Sequence, residues 1–128
     1  MERVLGGYSG LIFAALRFVA GALFACHGAQ KLFGALGGQQ VTDPMMRVAG
    51  IIEFGGGLLI AIGLVTAIAA FVSSGEMAVA YFMKHASGGF WPIVNHGELA
   101  VVYCFLFLYI AAHGAGTYSV DHAIRKGR

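Results

Sequence analysis

Residues 11–33 read LIFAALRFVAGALFACHGAQKLF, and this stretch decides the fold. It is a run of about 23 residues, long enough at ~1.5 Å per residue to cross a hydrocarbon core of ~30 Å. It lacks the period-two alternation of a barrel strand. A helix is the form that satisfies every backbone group of such a segment in lipid. Yet it carries Arg17, His27 and Lys31, and a charged side chain at mid-membrane costs ~2.5–3.5 kcal/mol on insertion scales. Arg17, Gly21, Phe24, Gly28 and Lys31 recur every three or four positions, so the charges and the glycines share one stripe of the helix. That stripe is expected to face protein, where small residues let a second helix come close.

Working outward, three more apolar segments follow at residues 46–63, 66–83 and 97–115, each roughly 18–19 residues long. Together the four predict an all-α fold, an antiparallel four-helix transmembrane bundle. It forms one domain over residues 1–128, with a polar tail at 116–128. Composition agrees: 59% of the 128 residues are hydrophobic and 11% charged, and the mean hydropathy is +0.79. So few charges exclude an ordinary soluble domain, and so apolar a chain excludes disorder. The bilayer is the expected partner. A net charge of +2 with no basic stripe argues against nucleic acid. No basic stretch and small-residue cleavage site frame the first apolar run, which is therefore expected to remain as a span.

The connections differ in kind. Residues 34–44 form a Gly-rich polar loop that ends Asp43-Pro44, an N-cap followed by proline in the first turn. Residues 63–66 are short enough for a tight hairpin. Residues 85–95 include Phe90-Trp91-Pro92, suited to the membrane interface. Asn95 to Glu98 fits a capping box. Four spans put both termini on one side, with Arg3, Arg125, Lys126 and Arg128, against Lys31, Arg47 and Lys84 on the other. The basic cluster after the fourth span favours cytoplasmic termini.

The informative residues are Arg17, His27, Lys31, Glu53, Glu76 and Glu98, ionisable groups in or at the edge of spans. With 1.5 Å of rise per residue and no tilt, His27, Lys31, Glu53 and Glu98 fall within ~10 Å of the outer boundary. Arg17 falls ~21 Å deep, with Glu76 the nearest acid. On the second segment Glu53, Gly56, Gly57 and Ile60 repeat the stripe of the first. The two stripes are expected to meet inside the bundle.

Those residues also carry a resemblance. Arg17-Phe-Val-Ala-Gly21, Phe24-Ala-Cys-His27-Gly28 and Lys31-Leu32-Phe33 resemble the first-helix signature of the DoxX family. Glu53-Phe-Gly-Gly-Gly57 with Gly63 resembles its second helix, and Asn95-His-Gly97-Glu98-Leu99-Ala100 the opening of its fourth. The resemblance spans roughly residues 10–116. It implies a four-helix protein of the bacterial or archaeal cytoplasmic membrane. It also implies an association with redox partner proteins, as in the small subunits of a thiosulfate:quinone oxidoreductase. This chain shows neither a second, larger subunit nor a cofactor motif, so thiosulfate oxidation itself is not carried over.

The functional expectation is a redox-associated membrane subunit whose polar pocket binds a quinone head group or a small anion. In it Lys31 supplies positive charge, His27 a titratable donor and Glu53 the proton acceptor. The alternative is a non-catalytic scaffold or assembly partner, in which the charges only fix helix register. Lys31 is equally explained by snorkelling, Glu98 by its cap, and Glu53 by an ion pair with Lys31 or Arg17. The histidines offer no metal-ligand spacing, and no nucleophile motif occurs. Cys26 and Cys104 read first as small hydrophobes; a thiol pair beside His27 is the sharper alternative. A homodimer is expected, because four short helices bury little area.

Overall fold

A computed structural model describes residues 1–127; Arg128, counted above among the basic residues near the termini, lies outside the described residues. Every regular element among those residues is helical. Helix α1 (Glu2–Phe33), α2 (Pro44–Ile62) and α3 (Thr66–Lys84) are each long and apolar enough to cross a membrane. A short helix α4 (Pro92–Asn95) precedes α5 (Glu98–His113), and α6 (Val120–Lys126) ends the chain. The fourth apolar segment is thus shorter than residues 97–115. Its 16 residues reach only ~24 Å, because Gly114 leaves the helix at φ 88°.

The helix ends follow from local chemistry. Gly34 closes α1 in the left-handed region at φ 66°, its N–H returning to the Gln30 carbonyl, as a glycine after a helix does at little cost. Asp43 Oδ2 accepts from the Met46 N–H at 3.2 Å, with Pro44 behind it, as the sequence predicts. The tight turn into α3 has Gly63 at φ 74° and Val65 at φ 48°. The capping box at Asn95 does not form. Asn95 ends α4 instead: its Oδ1 accepts from the Gly97 N–H, and its Nδ2 donates to Tyr81 Oη and the Gly89 carbonyl. Gly97 then opens α5 with no side-chain cap. The side chain that would have capped α5 is spent on the loop.

The two glycine stripes do meet. A Cβ on Gly21 would lie 2.5 Å from the Ala61 nitrogen, and one on Gly57 2.5 Å from the Ala25 nitrogen; one on Gly28 would run into the Phe54 backbone. Residue numbers fall along α2 as they rise along α1. This is backbone-to-backbone packing of the kind that small residues permit. Helix α3 lies along α5, where Ser74 Oγ donates to the Cys104 carbonyl at 2.7 Å. Phe24, Ile60, Phe107 and Ile110 fill the core between the helices. The Leu, Val and Phe side chains of the outer faces stay exposed, as lipid-facing helices require.

Candidate functional site

Two groups of buried polar side chains sit at different places in the bundle. The first surrounds Arg17. Its side chain is 4% exposed, and among the described residues no carboxylate forms an ion pair with it. Nε donates to the Ile60 carbonyl at 3.0 Å, one terminal nitrogen to Ala115, and the other to Tyr118 at 2.9 Å. The planar guanidinium thus ties the end of α2 to the chain after α5, a role that uses its fixed fork of donors. Glu76, the nearest acid to Arg17 by depth along the helices, does not pair with it: backbone carbonyls satisfy the guanidinium, and Glu76 lies against Glu53.

The neighbouring cap was not foreseen. Asp121, on α6 in the polar tail, accepts from the N–H groups of Val65 at 2.8 Å and Thr66 at 2.9 Å, while its own N–H donates to the Gly63 carbonyl. Burial works to raise the Asp121 carboxyl, but the N–H groups of Thr66 and Val65 outweigh it and hold it below its ordinary 3.8. Ser119 in turn caps α6 through the His122 N–H. In the sequence only Ser119, followed by an acid two residues on, marks this helix start within the polar tail.

The second group lies where α1, α2 and α3 face one another. Lys31 Nζ donates to both oxygens of Glu53, at 2.6 and 2.7 Å. Glu53 is 1% exposed; the Lys31 side chain is 25% exposed. A π-helical turn at Ile52–Gly56 carries Glu53, a wide turn of the sort that often marks functional positions. It forms where Gly55 and Gly56 leave the backbone unencumbered. The Glu76 carboxyl group, on α3, meets that of Glu53 and also feels Lys31. Glu76 Oε2 is buried without a hydrogen-bond partner. An unpartnered buried polar atom needs a reason, because it forfeits the solvation it had in water.

A cavity of about 720 Å³ opens beside this group, within the size range of small-ligand sites. His27, Lys31 and Glu76 reach it among mostly apolar walls, with Tyr103 from α5, and Lys84 and His96 line its far end. The His27 ring stands edge-on to that of Tyr103, centroids 6.2 Å apart. Of the six residues singled out in the sequence, His27, Lys31, Glu53 and Glu76 come together here, while Arg17 belongs to the other group. Glu98 is exposed in the first turn of α5 and does not line the cavity. The cysteines are free, Cys26 on the outer face and Cys104 beside Ser74.

Chemically, the ion pair leaves Glu53 little to offer, since Lys31 engages both of its oxygens. The free oxygen is on Glu76.

Comparison with known proteins bears on this arrangement. The family model described as DoxX matches residues 12–86. An uncharacterized protein of Haemophilus influenzae is 43% identical over 127 residues, covering 93% of this chain and 95% of the relative. The inner membrane protein YqjF of Escherichia coli is 30% identical over 118 residues, covering 86% and 89%. No solved structure matches the chain.

Proposed function

The chain belongs to the DoxX family of membrane proteins, and on that premise we propose that it binds the head group of a neutral, lipid-soluble quinone or quinol in the cavity beside Glu76. The observation that carries this reading is the unpartnered Glu76 oxygen at a mostly apolar cavity. A quinol hydroxyl supplies the missing donor, and Lys31 or His27 supplies a donor to a quinone carbonyl. Two carboxyl groups against one ammonium leave no surplus positive charge, which favours a neutral head over a small anion. Oxidising a quinol releases two electrons and two protons. In this reading a partner redox protein takes the two electrons, and Glu76 and His27, both at the cavity, take one proton each as general bases.

The setting proposed is four antiparallel spans in the cytoplasmic membrane of a bacterium or archaeon, both termini cytoplasmic, with a second copy of the chain covering part of the outer face. The name of the Escherichia coli relative supports an inner-membrane location.

The test is purification with native lipids from cells expressing the native chain or its Glu76→Gln variant, followed by ultraviolet spectra of extracted quinone. The native chain is expected to carry quinone and the variant at least tenfold less at equal protein. Native protein that carries none, and takes up none when it is added, overturns the reading. A second reading, an assembly scaffold, is favoured by the Lys31–Glu53 pair, which engages both Glu53 oxygens and locks α1 to α2 without chemistry; it predicts a stable protein partner and no small molecule.

A further inference from the structure

The cavity is not closed toward lipid. Helix α2 meets α3 along Ile52–Gly56 and Gly57–Ile62, but its first turns, Pro44–Ile51, pack mainly on α1. From the tight turn at Gly63 the two helices therefore diverge. The gap between them is lined by two facing stripes. On α2 these are Met45, Val48, Ala49 and Ile52, and on α3 Val72, Gly75, Val79 and Met83. Both follow the three-and-four spacing of one helix face. Val48, Val72 and Val79 are exposed at its edges. A Cβ added at Gly75 would meet nothing within 4 Å, so the gap is already open next to Glu76. At its narrow end Gly56 and Ser73 close it, a Cβ on Gly56 falling 2.7 Å from Ser73 Oγ. Glu76 is thus the polar end of a slit whose walls are apolar and whose flank is the lipid-facing side of the bundle.

We propose that the slit between α2 and α3 is a lateral doorway from the bilayer, and that its occupant is a long-tailed amphiphile with a small neutral head. The head lies against Glu76, Lys31 and His27. The tail leaves sideways between Val48 and Val79 into the acyl chains. The proposal rests on the reading that a quinone-type head occupies the cavity, and adds the tail, its path and the direction of entry. An apolar tail in the slit keeps its hydrocarbon surroundings throughout, whereas entry past Lys84 and His96 would drag it through the charged end of the cavity.

Photolabelling of the native chain in lipid nanodiscs tests this. Two probes share a benzoquinone head with a ten-carbon tail, one with the azide on the ring and the other at the tail's far end. The ring probe is expected to label residues near His27 and Tyr103, and the tail probe Val48, Ile52 or Val79. Ring labelling with the tail label at Lys84 and His96 overturns the lateral path and leaves the cavity reading standing. Labelling by neither probe above a tail-only control overturns both. As an independent measure, Gly75→Leu places a side chain in open space and is expected to weaken binding of the tailed quinone at least tenfold while sparing the tailless head. Equal binding of the tailed quinone by variant and native chains overturns the doorway.

Discussion

The Arg17 end and the Glu76 end of this bundle hold the same kind of unusual residue, an ionisable group inside a membrane-sized helix, and treat it in opposite ways. Arg17 donates to backbone carbonyls of Ile60, Ala115 and Tyr118, and Asp121 caps α3 just beside it. Each of these groups is used to join segments far apart in sequence. At the other end Lys31 and Glu53 satisfy each other, but Glu76 keeps an oxygen with no partner and a cavity in front of it. A buried charge with every bond made is a fastener. One left short of a partner beside open volume is where a ligand contributes most.

That contrast breaks most readily at Arg17. Arg17→Ala takes the guanidinium donor away from four carbonyls, those of Ile60, Ala61, Ala115 and Tyr118, and losses of ~1.5–3 kcal/mol per charged hydrogen bond are typical and not fully additive. A fall in unfolding free energy of roughly 3–5 kcal/mol is expected from several such bonds lost together, read as loss of thermal stability in detergent. Arg17→Lys is expected to recover only part of it, since an ammonium lacks the planar fork. An unchanged melting curve for Arg17→Ala would remove the distinction between the two ends.

Gly28→Leu comes next, because its side chain has to push the Phe54 backbone aside. Overpacking of this kind costs ~1–3 kcal/mol, and the same assay should show it. Indifference there would mean that α1 and α2 are not held by close approach.

Asp121→Ala is expected to cost about 1 kcal/mol, as loss of a helix cap does. The capping carboxyl titrates lower when folded than its ordinary value, so its contribution is complete above the unfolded value of ~3.9 and is lost as pH falls through the folded one. Melting curves between pH 6 and pH 3 should therefore converge for native and Asp121→Ala chains at the acid end. A gap that stays constant would place the stabilisation elsewhere than in the charged cap.

The smallest effect on stability sharpens the comparison most. Glu76→Gln keeps the shape and removes a buried carboxyl pressed against that of Glu53, so its melting temperature should equal or slightly exceed the native one, while quinone retention falls. A variant that unfolds like Arg17→Ala would make Glu76 a fastener too.

The pattern of charges and glycines on α1 was legible in the residues because helical spacing alone dictates which of them share a face. So was the contact between the Gly21–Gly28 stripe and that of Glu53–Gly57. The depth estimate was less informative. It set Glu98 beside His27 and Glu76 beside Arg17 by counting rise along straight, unrotated helices. Height along an axis says nothing about azimuth, and Glu98 at the right height is exposed while Glu76 turns toward Glu53. The π-helical turn at Ile52–Gly56 adds a further phase change that no regular count includes. Only a glycine run after Glu53 hinted at it.

Membrane residence and helical class therefore follow from the sequence by itself, since apolar length and backbone hydrogen bonding in lipid leave one solution. So does the identity of the polar residues that need explaining. Which of them meet was decided by tertiary structure. The partners of Arg17 and the cap at Val65–Thr66 come from the chain after α5, and the open slit before Glu76 comes from the divergence of α2 and α3. Contacts between residues 43 to 101 positions apart depend on how helices are rotated and where the tail returns, and no local pattern encodes either.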